Sequence, residues 1–125
     1  MTALTTEARE LLTTALEGNG YRIYDTVPAV PTTPSVVIVP DSPWIRPNRL
    51  GSVLNYEVRW RVMVNISPKV NDAATTATEE AIDALLKEIP SSFSVEVVNA
   101  PQLLSLGAQG TILSTEINVS VQMKE

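Results

Sequence analysis

Leu54, Tyr56, Val58, Trp60, Val62, Val64 and Ile66 alternate with Asn55, Glu57, Arg59, Arg61, Met63 and Asn65. A period of two with one apolar face predicts a half-buried strand over residues 54–66. The pattern returns near the end of the chain. There, Leu113, Thr115, Ile117, Val119, Val121 and Met123 share one face of a strand predicted over Thr111 to Lys124. Shorter strands are predicted at Tyr21–Thr26, Ser35–Val39 and Phe93–Val98. Two segments instead carry helical spacing. Leu4, Ala8, Leu11, Leu12, Ala15 and Leu16 form one stripe of a helix over residues 3–17, and Gly18-Asn19-Gly20 stops it. Ala74, Ala77, Ala81, Ile82, Leu85, Leu86 and Ile89 form the stripe of a second helix from Asp72 to Ile89, capped by Asn71 or Asp72 and ended by Pro90.

The predicted order is αβββαββ in a single domain over residues 1–125. Two helices cannot cover both faces of the sheet, and the alternating strands leave one face polar. The expected fold is α+β: a two-layer sandwich with a mixed or antiparallel sheet of about five strands and both helices on one face. Thirteen residues of strand 54–66 would extend roughly 43 Å. A domain of this length is only about 35 Å across. The strand must therefore bend or project, and a projecting arm continuous with the preceding loop is the expectation. That loop, residues 40–52, holds Pro40, Pro43, Pro47 and Gly51 together with Trp44, Arg46 and Arg49. Its length suits an interaction arm. A second long loop, Asn99 to Gly110, is apolar at Leu103, Leu104 and Leu106, which are expected to cap the domain's own core, with a partner contact as the alternative.

The chain has 0 His and 0 Cys. This excludes disulfides, Cys/His zinc sites, Cys nucleophiles and Ser-His-Asp chemistry. Glu79, Glu80 and Asp83 crowd one helix face, and Asp83 is spaced to pair with Lys87; a solvated surface explains them without a metal. No catalytic, cofactor or metal residue is expected. The N-terminus lacks a basic start followed by an apolar run, and no apolar stretch approaches a membrane span, so a soluble intracellular protein is expected.

A formal net charge of -5 argues against general nucleic-acid binding. The charge is unevenly divided. Residues 1–70 hold seven basic residues and six acids, net +1, whereas residues 71–125 hold Lys87 and Lys124 against eight acids, net -6. The basic excess lies between Arg46 and Lys69. Arg59 and Arg61 either solvate the outer sheet face, opposite Glu116, or meet an acidic surface such as the C-terminal half of a neighbouring copy. A contact between unlike patches closes naturally into a ring. Trp44 either folds over its own core or anchors an interface, a role that Trp and Arg favour. The candidate contact residues are Trp44, Arg46, Arg49, Arg59 and Arg61.

The whole layout resembles the tail-terminator (tail-completion) proteins of long-tailed bacteriophages. The resemblance is carried by the opening helix Leu4 to Leu16, Tyr21-Arg22-Ile23-Tyr24, Val27-Pro28-Ala29-Val30-Pro31, and Pro40-Asp41-Ser42-Pro43-Trp44. The strand Tyr56 to Ile66, the helix Ala73 to Ile89 and the closing strand Ile112 to Met123 complete it. It implies a structural virion protein that forms a hexameric ring on the head-proximal end of the tail tube, assembled in the host cytoplasm. Such a ring stops tube polymerisation and offers the surface for head joining. The implied partners are copies of itself, the tail tube protein and the head–tail connector protein, with genomic DNA only passing through the lumen and no membrane. No cofactor is implied. Two alternatives stay open: a connector or other minor virion protein, and a small-ligand-binding α+β module.

Overall fold

A computed structural model describes residues 3–18, 20–24, 34–47, 55–67, 71–105 and 111–124, with the backbone alone over 71–74. Helix α1 (Leu4–Leu16) buries Ala8, Leu12 and Leu16, four residues apart on one stripe. Leu11, expected on that stripe, is exposed. The Glu17 N–H donates to the Thr13 carbonyl at 3.2 Å, and Gly18, at φ 91°, takes the left-handed backbone that ends the helix. Strands β1 (Arg22–Tyr24), β2 (Ser35–Pro47) and β3 (Asn55–Ile66) follow. Helix α2 (Asn71–Glu88) leads into β4 (Phe93–Val98), β5 (Gln102–Ser105) and β6 (Thr111–Lys124).

The fold is α+β, with a mostly antiparallel sheet of six strands in the order β1-β2-β3-β6-β4. Among the described residues, only β1 and β2 pair in parallel. The β3–β6 ladder is unbroken from Asn55↔Lys124 to Ile66↔Leu113. Both strands bring the same face forward, in the pairs Val58↔Val121, Trp60↔Val119, Val62↔Ile117 and Val64↔Thr115. The buried stripes of α1 and α2, including Leu12, Leu16, Ala81 and Leu85, join one cluster with this face and with Val36 and Ile38 of β2. Trp60, 1% exposed, is the largest fully buried side chain.

Three expectations are corrected. The sheet has six strands rather than about five, in the order αβββαβββ, because residues expected in the 99–110 loop form β5. β4 and β5 share one position beside β6, β4 against Ile117–Val121 and β5 against Thr111–Ser114, so a broken edge strand reads as strand then loop. Second, the predicted 40–52 loop is β strand as far as Pro47. Pairing with β3 lapses after Pro40↔Trp60 and resumes at Ile45↔Val58, so Asp41–Trp44 form a bulge. Proline-rich sequence reads as loop, yet proline is tolerated at a bulge, where ladder hydrogen bonds are already missing. Third, β3 is no free arm. It is paired with β2 and β6 on its two sides, and its N-terminal residues Tyr56 and Glu57 have partners in both. Residues 48–52 and Leu106 lie outside the described residues.

Candidate interaction surface

The sheet face away from the helices carries a charged network centred on β3. Strand alternation places Glu57, Arg59, Arg61 and Met63 there, opposite Gln122, Ser120, Asn118 and Glu116 of β6. The Arg59 guanidinium donates twice to Glu96 of β4, from Nε to Oε1 at 3.1 Å and from Nη2 to Oε2 at 2.9 Å. Its Nη1 donates to the Pro43 carbonyl at 3.3 Å, and its Nη2 lies 3.5 Å from Asp41 Oδ2. Both groups come from the β2 bulge. One arginine therefore ties β2, β3 and β4 together across the outer face.

Asp41 is held on its other side. It accepts from the Ser42 N–H at 2.8 Å and from Asn118 Nδ2 at 2.9 Å, and Asn99 Nδ2 donates to Asn118 Oδ1 at 3.0 Å. Asn118 and Ser120 of β6, which face away from the helices, are buried beneath this network. The paired hydrogen bonds to Glu96 are the main reason that the Arg59 guanidinium has its pKa raised. Reciprocally, those bonds hold the Glu96 carboxyl below its usual range, against the opposing effect of burial.

Arg59 is thus only 12% exposed and saturated by its own chain. Arg61 sits opposite Asn118, with Nε 3.7 Å from Glu116 Oε1. Arg46 is 60% exposed and reaches Glu57 only at 3.9 Å, which leaves its charge largely in solvent. Trp44 stacks edge-to-face on Trp60, with centroids 5.8 Å apart and planes at 71°. It folds over its own core and still leaves about two-fifths of its surface open, at 39% exposure. Arg49 lies outside the described residues. Of the expected contact set, the structure brings Arg59 and Arg61 together with acids of the same domain and leaves Arg46 and part of Trp44 outward.

A further exposed apolar surface lies elsewhere. Among the described residues, Val95, Val97, Val98, Leu103 and Leu104 on β4 and β5 are exposed large hydrophobics, with Leu86 of α2 beside them. Leu103 and Leu104 were expected to cap the core. Instead Leu103 is 66% exposed, because β5 lies at the sheet edge with β6 as its strand partner. On the helix side, a groove of about 290 Å³ runs between α2 and this edge, lined by Ile82, Leu86, Val98 and Pro101, with Glu79 and Asp83 on its rim. On the outer face, a cleft of about 250 Å³ lies at the β4–β5 junction, lined by Met63, Asn99, Gln102, Leu104, Ser114 and Glu116.

No protein-family model matches the chain, and no curated protein matches it.

No group of three or more potential metal-ligating side chains occurs among the described residues, and no helix among them is long and apolar enough to cross a membrane. The missed residues have distinct causes. Asp41 and Glu96 reach Arg59 only because the β2 bulge and the β4 position bring them there, separated from it by 18 and 37 residues. The apolar edge was legible only as a run of Val and Leu, since exposure depends on which strand ends the sheet.

Proposed function

We propose that this chain is a structural virion subunit that forms a ring, hexameric by its resemblance, on the head-proximal end of a phage tail tube. The ring stops tube growth and offers the surface for joining the head. The observation that carries the assembly part of this reading is the row of exposed Val and Leu on β4 and β5. Monomeric proteins rarely leave several large apolar side chains exposed along the edge of a sheet, because such an edge invites association. A subunit whose working state is an assembly has a use for them. The link to tail tubes rests on the sequence resemblance.

Termination then has a simple physical form. A growing tube templates each new layer on exposed edges and loops of the last. A terminator matches that surface on one side and presents a different surface on the other. Passage of DNA favours a lumen without a basic lining, which would grip phosphates. Arg59, held by Glu96 and Asp41, presents no unpaired cation to it.

The test has two stages. Light scattering behind a sizing column, over a wide protein concentration range, should give a species near the mass of a hexamer. Added to purified tail tubes, the protein should bind one end and prevent further elongation. A monomer that stays monomeric with tubes present, and leaves their length distribution unchanged, removes the proposal. A connector would instead bind without limiting tube length.

A further inference from the structure

We infer that the groove between α2 and the β4–β5 edge seats a segment of a different protein, one that places an apolar side chain between Leu86 and Val98 and a lysine or arginine over Glu79. The inference goes beyond the ring reading and does not depend on it.

Register places the groove on the helix side of the sheet. Val98 pairs with Ile117 of β6, and Val95 pairs with Val119. Ile117 and Val119 belong to the core that the helices cover. At β4 that cover ends, and the apolar face continues into solvent, with Leu86 36% and Val98 37% exposed. Ile82 and Pro101 complete the apolar lining of a groove of about 290 Å³, a volume of side-chain rather than domain size. An apolar side chain set there would extend the core without rearranging it. Thr115 gives a second indication. It is 2% exposed, it lines the groove, and its hydroxyl has no hydrogen-bond partner among the described residues. Buried hydroxyls are nearly always partnered, and a backbone N–H or C=O brought in beside the apolar side chain would supply the partner.

Charge selects the kind of segment. α2 sets Glu79 and Asp83 on the rim of the groove and exposes Glu80 and Glu88. The one cation of α2, Lys87, is occupied by Asp83 at 3.0 Å. Residues 99–105 carry no charge, and Glu96 of β4 is held by Arg59 on the outer face. No cation lines the groove to balance Glu79. A lysine or arginine flanking the apolar side chain would pair with these acids and speed the encounter. A neighbouring copy is a poor source of it. The chain has a formal net charge of -5, and its Arg59 is taken up by Glu96 and Asp41 of its own sheet. Two such grooves facing each other would set acid against acid. The segment belongs to another protein.

The test uses the full chain and three short fluorescein-labelled peptides, of leucine and lysine, of leucine and glutamate, and of serine and lysine. Fluorescence anisotropy should show the leucine–lysine peptide binding about tenfold more tightly than either of the others. Val98→Asp and Glu79→Lys/Glu80→Lys, all at exposed positions, should each weaken it about tenfold. Glu10→Lys/Glu17→Lys, the same change of charge on exposed residues of α1, should leave it unchanged. Should Val98→Asp lose the wild-type circular dichroism spectrum, the two lysine pairs decide. Equal weakening by both lysine pairs would mean that net charge alone holds the peptide, and overturns the inference. So does a serine–lysine peptide that binds as tightly, or a leucine–lysine peptide that does not bind. Rings that form in the wild type and disappear in a folded Val98→Asp hand the groove to a neighbouring copy, which overturns the inference and leaves the ring reading standing. A wild-type chain that stays monomeric with tail tubes, yet binds the peptide as described, removes the ring reading alone.

Discussion

Arg59 and Glu96, 37 residues apart in sequence, meet in a two-point hydrogen bond of 3.1 and 2.9 Å across the outer face of the sheet. They are not neighbours in the sheet order, since β6 lies between β3 and β4. The pair therefore spans a strand and lies over Ser120, which faces Arg59 in register. Arg59 also holds the β2 bulge through Pro43 and Asp41. Replacing it by Ala leaves the Asp41 carboxylate, 9% exposed, without its cation. Lost charged hydrogen bonds and a stranded carboxylate should cost about 2 kcal/mol. Arg46→Ala removes a solvent-exposed charge and should stay within about 0.5 kcal/mol. Urea unfolding of both variants measures the difference. Equal losses would mean that the network adds nothing beyond an ordinary surface pair.

The same pair sets a pH dependence. The Glu96 carboxyl is lowered from its usual 4.5, chiefly by its hydrogen bonds with Arg59. A depressed carboxyl contributes stability that is fully present above the unfolded value and lost as pH falls through the folded one. The loss should therefore appear below pH 4.5 and continue under it. Arg59 stays protonated throughout that range, its own pKa being raised, and adds no titration there. Glu96→Gln should be less stable than wild type at neutral pH and should lose less on acidification. Thermal melts in a pH series would show it. Parallel curves for the two proteins would contradict the assigned cause.

Trp44 and Trp60 divide one aromatic contact unequally. Trp60 is sealed within the core, and its Nε1 is buried without a hydrogen-bond partner among the described residues, whereas Trp44 covers it from the bulge. Trp60→Ala should cost about 3–5 kcal/mol, in line with deletion of a large core aromatic. Trp60→Phe keeps most of the ring contact and removes the unsatisfied N–H, so it should cost less than half as much. Trp44→Ala should cost about 1–2 kcal/mol, from an edge-to-face pair and partial burial. Denaturation followed by circular dichroism checks the order Trp60→Ala, then the other two. A Trp44→Ala loss as large as that of Trp60→Ala would mean that Trp44 holds the bulge as well as covering the core.

The helices and the two long strands were readable because their periodicity is local. Leu12 and Leu16, or Val62 and Val64, announce a face from within a few residues. Strand β5 and the β2 extension were not, since both depend on partners far along the chain. Gln102–Ser105 becomes a strand by lying against Thr111–Ser114, and Ile45–Pro47 by rejoining β3 after a bulge. The same limit applies at the surface. Arg59 read as a candidate contact because nothing near it in sequence announces Glu96, and Leu103 read as core because apolar residues usually are. Arg46 read as a candidate contact in a loop; it lies in β2, with its side chain 60% exposed.

Arg46 gives the last prediction, together with Arg49. Arg46 lies at the exposed end of β2, and the tail-terminator reading makes the tail tube the partner of this end. Arg46 is largely solvent-exposed and contributes little to the fold, so reversing its charge should leave the domain intact. Arg46→Glu/Arg49→Glu should therefore form rings of normal size by light scattering and show a normal melting temperature. Its binding to tube ends should fall and become less salt-dependent, because the cations that steer and hold the contact are gone. Tube-length distributions measured by electron microscopy at two salt concentrations provide the readout. Normal capping by this double variant would free the β2 end from any role at the tube, and failure of the ring itself would place these arginines between copies instead.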